Sequence, residues 1–399
     1  LQRAVNKQGE SILLFRQSQK TIAEWKQDKG RFYCPACQKK VIIRSGEKVI
    51  PHFAHLPYRE CLLGGGGEGA YHERGKLQLF KWLSRFDMQV ELEVYFPEIS
   101  QRADIFIQVD QKKIAVEFQC ARIAQEEIIN RMEGYKTIGI ESIWILGAKY
   151  LKQKGAYTFQ ANHFLDTFIR SSPNKHYPQL FFYDPFISEM AVLHHLYPLQ
   201  TSKIFAKQLV YPLHQLHFKH LFQKEKIPGS FTAYWVKEVR YLRTKIEKSY
   251  GTIYQLRRWL YNKGYLFQCL PSICFMPIPY HTSVPAPFYK WQTELYVSCL
   301  AHLKTGDRVE IAELENLLYS FYSKDMIDFS DALQHYLQLL HQSGYIEIRS
   351  STILRTNQKI TSYSSQEKAF QGDQSFFHSF FSEKKAKYEH DYPLLRYTK

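Results

Sequence analysis

The sequence predicts an α/β chain with a small zinc-binding module at its amino end and a mainly helical carboxy-terminal domain. Three observations predict it. Cys34-Pro35-Ala36-Cys37 is followed within one short segment by His52, His55 and Cys61. Residues 102–120 read as two strands and a turn, with a helical pattern before them and a helix and an apolar strand after them. From roughly residue 185 onward the apolar spacing is mainly helical.

With 399 residues, 45% of them apolar, the chain can bury at least two ordinary cores, so two or three domains are expected. Boundaries are expected at 1–62, 66–170 and 171–399. The glycine run 64–67 cannot hold a fixed backbone by itself and reads as a hinge, while Ser171-Ser172-Pro173-Asn174 is turn-like. Within the last region, 331–340 is an amphipathic stretch followed by Ser343-Gly344-Tyr345 and the alternating Ile346 and Ile348, which resembles part of a winged helix near 310–355. The tail 361–399 shows no complete amphipathic helix and is expected to be partly disordered.

Lys and Arg number 53 against 38 Asp and Glu, a formal charge of +15 that attracts polyanions and favours nucleic acid over small acidic substrates. Twenty-eight Tyr and 28 Phe supply rings that can fill cores or stack on unpaired bases. The start has no secretory pattern, and no stretch approaches the roughly 18 apolar residues of a membrane span, so a soluble cytoplasmic protein is expected. Seven Cys in a reducing compartment point to metal binding before a disulfide framework.

Zinc takes four N or S donors in a tetrahedron, and a Cys-x-x-Cys knuckle offers two of them on one turn. Val41-Ile42-Ile43 and Val49-Ile50 flank Ser45-Gly46-Glu47, a short hairpin that would carry the histidines back to the knuckle. A redox Cys-x-x-Cys would need no histidine pair. Several candidates for four places argue for a closed, structural zinc that folds a module with little core of its own. Cys34 and Cys37 belong to every such set, and His52, His55 and Cys61 compete for the other two places.

In the second strand of the central pair, Ile114, Val116 and Phe118 share one face while Ala115, Glu117 and Gln119 share the other. If the loop is Asp110-Gln111, Asp104 stands opposite Glu117 with Cβ atoms about 5 Å apart. A register shifted by two puts it opposite Gln119. Either register gathers two carboxylates and an amide oxygen, a costly set without a cation. The hard oxygen donors suit Mg or Mn, and the chemistry implied is phosphodiester hydrolysis. On the preceding helix Glu68, His72 and Lys76 recur every four residues and are expected on one polar face beside this site, with Lys76 a candidate nucleic-acid contact, opposite Leu79, Phe80, Leu83 and Phe86. A zinc peptidase is excluded, because Lys76 stands where His72-Glu73 would need a second histidine.

Phe32-Tyr33-Cys34-Pro35-Ala36-Cys37, Pro51-His52-Phe53-Ala54-His55, the Glu68, His72, Lys76 helix, Gln101-Arg102-Ala103-Asp104, Val116-Glu117-Phe118-Gln119-Cys120 and Ile143-Trp144-Ile145-Leu146-Gly147 together resemble the competence protein CoiA family. The resemblance covers roughly residues 1–150. It implies a restriction-endonuclease-like central domain of the PD-(D/E)xK type, in which Asp104 and Glu117 hold divalent metal and Glu68 is the helix acid. Gln119 occupies the usual Lys position. Arg131, suited to a phosphate, and Tyr135 resemble further family positions, although Tyr135 with Ile128 and Met132 also forms a plain core stripe. The resemblance implies a bacterial DNA endonuclease or nickase of natural transformation, acting on single-stranded DNA or recombination intermediates alongside RecA. A non-catalytic DNA-binding accessory is the alternative that Gln119 raises.

Overall fold

The computed structural model describes residues 1–27, 32–46, 49–55, 69–170, 178–200, 202–223, 225–246, 248, 250–279, 284, 286–322, 329–360 and 362–387. Glycines 64–67, Cys61 and Glu68 lie outside the described residues. The chain divides into two compact units, one formed by Leu1–Leu196 with Phe205–Glu225, the other by Tyr197–Ile204 with Lys226–Lys399. No helix among the described residues is long and apolar enough to cross a membrane.

The first unit begins with β1 (Arg3–Val5), β2 (Ser11–Leu13), α1 (Gln19–Gln27), β3 (Phe32–Tyr33), β4 (Lys40–Gly46) and β5 (Val49–His55). The strands form an antiparallel sheet in the order β2-β1-β3-β4-β5. Its core is small: Ala4, Leu14, Ile22, Phe32, Cys34, Val41, Ile43 and Phe53. This sheet belongs to the same compact unit as the central domain.

The central domain runs through α2 (Ala70–Leu83), β6 (Gln89–Phe96), β7 (Gln101–Val109), β8 (Lys112–Gln119), α3 (Gln125–Thr137), β9 (Glu141–Gly147), β10 (Gln153–Gly155), β11 (Thr158–Gln160), α4 (His163–Arg170), β12 (Leu180–Asp184), β13 (Glu189–Gln200) and β14 (Lys203–Pro212). Nine strands make one sheet in the order β10-β11-β14-β13-β12-β9-β8-β7-β6, with β8, β9 and β12 parallel. A helical crossover such as α3 is what two adjacent parallel strands require. Strand alternation sends Ile114, Val116 and Phe118 into a core with Leu77, Leu79 and Phe80 of α2, and Ala115 into a second core with Tyr135 of α3. The sheet is therefore covered on both faces.

This sheet continues well past residue 170, and β13 and β14 occupy the start of the stretch expected to be helical. Met190 to Leu193, Leu196 and Leu199 are buried. A strand enclosed on both faces reads as an unbroken apolar run, which periodicity cannot separate from a helix.

Helix α2 lies close on β8 because residue 75 is a glycine: a methyl group there would stand 2.1 Å from Cε1 of Phe118. Gly75→Ala should lower stability by about 1–3 kcal/mol through overpacking, although alanine is the better helix former. Urea unfolding checks this, and a more stable variant would refute the close approach.

His194 on β13 is 4% exposed, with Nδ1 2.9 Å from the Gln179 amide nitrogen. Burial, reinforced by His195, depresses its pKa from 6.5 to about 4. The unfolded chain thus binds more protons between these values, so the contribution is complete above pH 6.5 and is lost as pH falls toward 4. At pH 5 the loss is about 2 kcal/mol. His194→Gln should flatten the urea midpoint between pH 7 and 5, and an unchanged slope would refute the assignment.

The second unit contains α5 (Phe231–Thr244), α6 (Thr252–Asn262), α7 (Phe288–Leu295), β15 (Arg308–Glu310), α8 (Ile311–Phe321), α9 (Ser330–Gln342), β16 (Ile346–Arg349), β17 (Thr352–Arg355) and α10 (Gln366–Lys387). Its three strands pair in the order β15-β17-β16. Over residues 366–387 the tail corrects an expectation, since α10 is a long helix that buries Ala369, Phe377 and Phe380; residues 388–399 lie outside the described residues. Its Asp373 forms a bidentate pair with fully buried Arg243, at 2.7 and 2.8 Å. A polar anchor inside an aromatic-rich helix blurs the apolar stripe from which amphipathicity is judged.

Candidate active site and metal centres

The hairpin β7–β8 turns on Asp110-Gln111, since Val109 pairs with Lys112 and Asp110 takes the left-handed backbone that Asp tolerates. The last pair, Ile105 with Val116, carries Asp104 opposite Glu117. Both carboxylates are buried, at 8% and 4% exposure. They meet different helices, however. The Oδ2 of Asp104 accepts from His72 Nε2 on α2 at 3.1 Å and from the Phe118 backbone N–H at 3.0 Å. Oε1 of Glu117 accepts from Arg131 Nη2 at 2.6 Å and from the Tyr135 hydroxyl at 2.5 Å, both on α3.

The expectation of one shared face therefore needs correction, and the cause lies on the neighbouring strand. Glu93 of β6 has φ +52°, at the position between the pairs Leu92–Ile105 and Val94–Ala103. Across this irregularity β7 breaks its alternation: Ala103 and Phe106 join the core beside α3, while Ile105 and Ile107 join the core beside α2. Asp104 sits at the break. The sequence shows no sign of it, because Glu91 and Glu93 alternate with apolar residues like an ordinary solvent face.

Electrostatically the two acids still form one centre. Burial pushes the Glu117 carboxyl up, Arg131 opposes that, and the Asp104 charge adds to it. Arg131 and Tyr135 are both held above their usual values; burial leads for Tyr135, while for Arg131 the Glu117 charge overcomes its burial. Tyr135, read as core, is thus also a hydrogen-bond donor to Glu117; its spacing of four from Arg131 is the signal that was present. Gln119 is half-buried at the strand end, and its Nε2 donates to the Ala121 carbonyl at 2.5 Å.

His72 stacks on Phe118 with ring centroids 5.8 Å apart. Lys76, expected to reach nucleic acid, is fully buried instead. Its ammonium lies 2.9 Å from Glu73 Oε1 and 2.6 Å from Glu93 Oε1. Glu93 Oε2 also accepts from the backbone N–H groups of Gln2 and Arg3, at 2.8 and 3.1 Å. A buried lysine needs such partners. The network ties β1 to α2 and to the strand next to Asp104, and sequence spacing alone made Lys76 a surface residue because Glu93, its nearer acid partner, lies on another element of the fold.

In the amino-terminal sheet the ligand atoms of Cys34, Cys37 and His55 all lie within 4.8 Å of one another. Cys37 Sγ is 3.3 Å from His55 Nε2. His52 is not brought to them; its Nδ1 bonds the Ile50 carbonyl at 2.9 Å. Strand parity explains the choice. On β5, Phe53 and His55 face the core side, and His52, three residues from His55, must face the other way. Burial raises the Cys34 thiol, and burial together with Arg102 lowers His55. The soft donor set, with a neutral imidazole, fits zinc, and bound cation would draw the thiols into thiolate form.

Residues 14–64 match the N-terminal domain of the competence protein CoiA, 68–226 its nuclease-like domain and 230–370 its C-terminal domain. The competence protein CoiA of Bacillus subtilis (strain 168) is 29% identical over 360 residues, covering 87% of this chain and 95% of that one. No solved structure matches. With its three regions matched in family order and a relative aligned over nearly its whole length, the chain belongs to the competence protein CoiA family.

Proposed function

We propose that the chain is a metal-dependent DNA endonuclease or nickase for single-stranded or branched DNA, acting in the cytoplasm during natural transformation and homologous recombination. What carries the reading is the pair Asp104 and Glu117: two buried acids on adjacent antiparallel strands, near enough for one charge to raise the other's pKa, at the sheet edge where the parallel strands β8 and β9 end. Ligands bind at that edge of open α/β sheets. Asp104 and Glu117 would hold Mg or Mn, with the Gln119 amide oxygen as a further hard donor and Glu68 as the helix acid. Such an ion, when bound, supplies polarisation of the phosphate and a more acidic water.

The remaining work falls to the chain's own side chains. His72 Nε2, now donating to Asp104, is placed to hold or pass a proton at that edge. Arg131, a quarter exposed, can offer its guanidinium to a phosphate once Glu117 turns to an ion. Cys34, Cys37 and His55 hold structural zinc, and Cys61, outside the described residues, is a candidate for the fourth place.

A second reading, a non-catalytic DNA-binding accessory that works with RecA, is favoured by Gln119 at the position of the ammonium and by Arg131 already neutralising Glu117. Incubation of labelled single-stranded, duplex and branched DNA with Mg or Mn separates the two. Cleavage that chelator abolishes is expected; binding without any cleavage would select the accessory reading.

A further inference from the structure

The turn after β12 carries two adjacent apolar side chains out of the core: Phe186 is 65% exposed and Ile187 63%. The tip is held in shape, since the Phe186 N–H donates to Asp184 Oδ1 at 2.9 Å. Arg74, exposed on α2 two residues after His72, lies with its guanidinium carbon 5.4 Å from the centroid of the Phe186 ring. Tyr71 meets the same ring edge-on at 5.5 Å and stacks on Phe118, next to Glu117, at 6.1 Å. One tyrosine therefore joins the tip to the carboxylate strand.

The same edge continues in like manner. Tyr71 Oη accepts from the Ala148 N–H at 3.2 Å, and the next residue, Lys149, sets its ammonium 5.2 Å from the ring centroid of Tyr150. The Tyr150 hydroxyl in turn donates to the Cys120 carbonyl at 3.3 Å. These residues follow the ends of β8, β9 and β12, so cation-and-ring pairs line the side of the sheet where Asp104 and Glu117 sit.

We propose that the Phe186–Ile187 tip is a base-stacking platform for single-stranded DNA, leading the strand to the Asp104–Glu117 centre; this rests on DNA being the ligand of that centre. An unpaired base offers a flat face to Phe186, and its phosphates fall to Arg74 and Lys149. Duplex DNA keeps its bases stacked inside and has no such face to give. The platform therefore selects strand state, with no base-edge hydrogen bonds and little sequence preference.

The test is fluorescence anisotropy of a labelled oligothymidylate and of a duplex of equal length, without added divalent ion. Replacing Phe186 and Ile187 together with Ala should weaken single-strand binding by at least about fivefold, the low end of a lost stacking contact, and leave duplex binding within about twofold. Phe186→Trp should retain single-strand binding, and Arg74→Glu should weaken it and flatten its salt dependence. Unchanged single-strand affinity in the double variant, or equal loss on both DNAs, overturns the platform. Loss of self-association alone in sedimentation would assign the tip to a protein partner and overturn it too. If the wild-type chain binds neither DNA, the failure belongs to the DNA reading itself, a result distinct from the others.

Discussion

Glu117→Gln should lower metal-dependent DNA cleavage by roughly a hundred- to a thousandfold, the scale of removing a group that stabilises charge at a reacting centre. The amide keeps the shape of the carboxylate and can still accept from Tyr135, so the fold is expected to survive. What disappears is the negative charge a hard cation needs. Arg131 loses its ion-pair partner but keeps the Arg102 carbonyl at 3.1 Å, and it is a quarter exposed, so water can serve it. Asp104→Asn should behave alike, because its amide carbonyl oxygen can still accept from His72 and the Phe118 N–H. Gln119→Lys should retain cleavage or raise it, since an ammonium there would offset developing phosphate charge. Initial rates on labelled DNA, with thermal unfolding as control, check all three. Undiminished cleavage by Glu117→Gln would remove this residue from the chemistry.

Cys34→Ser should release close to one equivalent of zinc and unfold the amino-terminal sheet. Structural zinc contributes on the order of 10 kcal/mol to a small module, far more than the few buried side chains of this sheet can replace. Cys37→Ser and His55→Ala should act in the same direction, because their ligand atoms converge with that of Cys34. His52→Ala should keep the metal, since His52 bonds the Ile50 carbonyl instead. Metal analysis and limited proteolysis read the outcome. Full zinc content in Cys37→Ser would overturn the ligand set. The consequence should reach the central domain as well, because Gln2 and Arg3 of the same sheet donate to Glu93, on the strand beside Asp104.

Much of this was legible in the chain itself. Strand alternation and a two-residue turn placed Asp104 across from Glu117, and residues 112–119 carried their own division into two faces. The Cys-x-x-Cys knuckle and its following hairpin announced a soft metal site by spacing alone. These are local patterns, in which each residue's direction follows from its neighbours along the backbone. The family, too, was written in short motifs.

What only the tertiary structure decided concerns residues whose direction depends on distant partners. One left-handed residue, Glu93, breaks the alternation of β7 and turns Asp104 toward His72 while Glu117 faces Arg131. Lys76 looked like surface until Glu93, remote in sequence, folded over it. His52 and His55 looked equivalent until the segment proved to be a strand, whose parity parts them. Helix α10 was hidden because its Asp373 is matched by Arg243, another remote residue. For the Asp104–Glu117 centre, sequence alone determined which acids lie side by side on the hairpin. The fold decided where each carboxylate turns, because a buried charge takes its direction from the partners that burial brings to it.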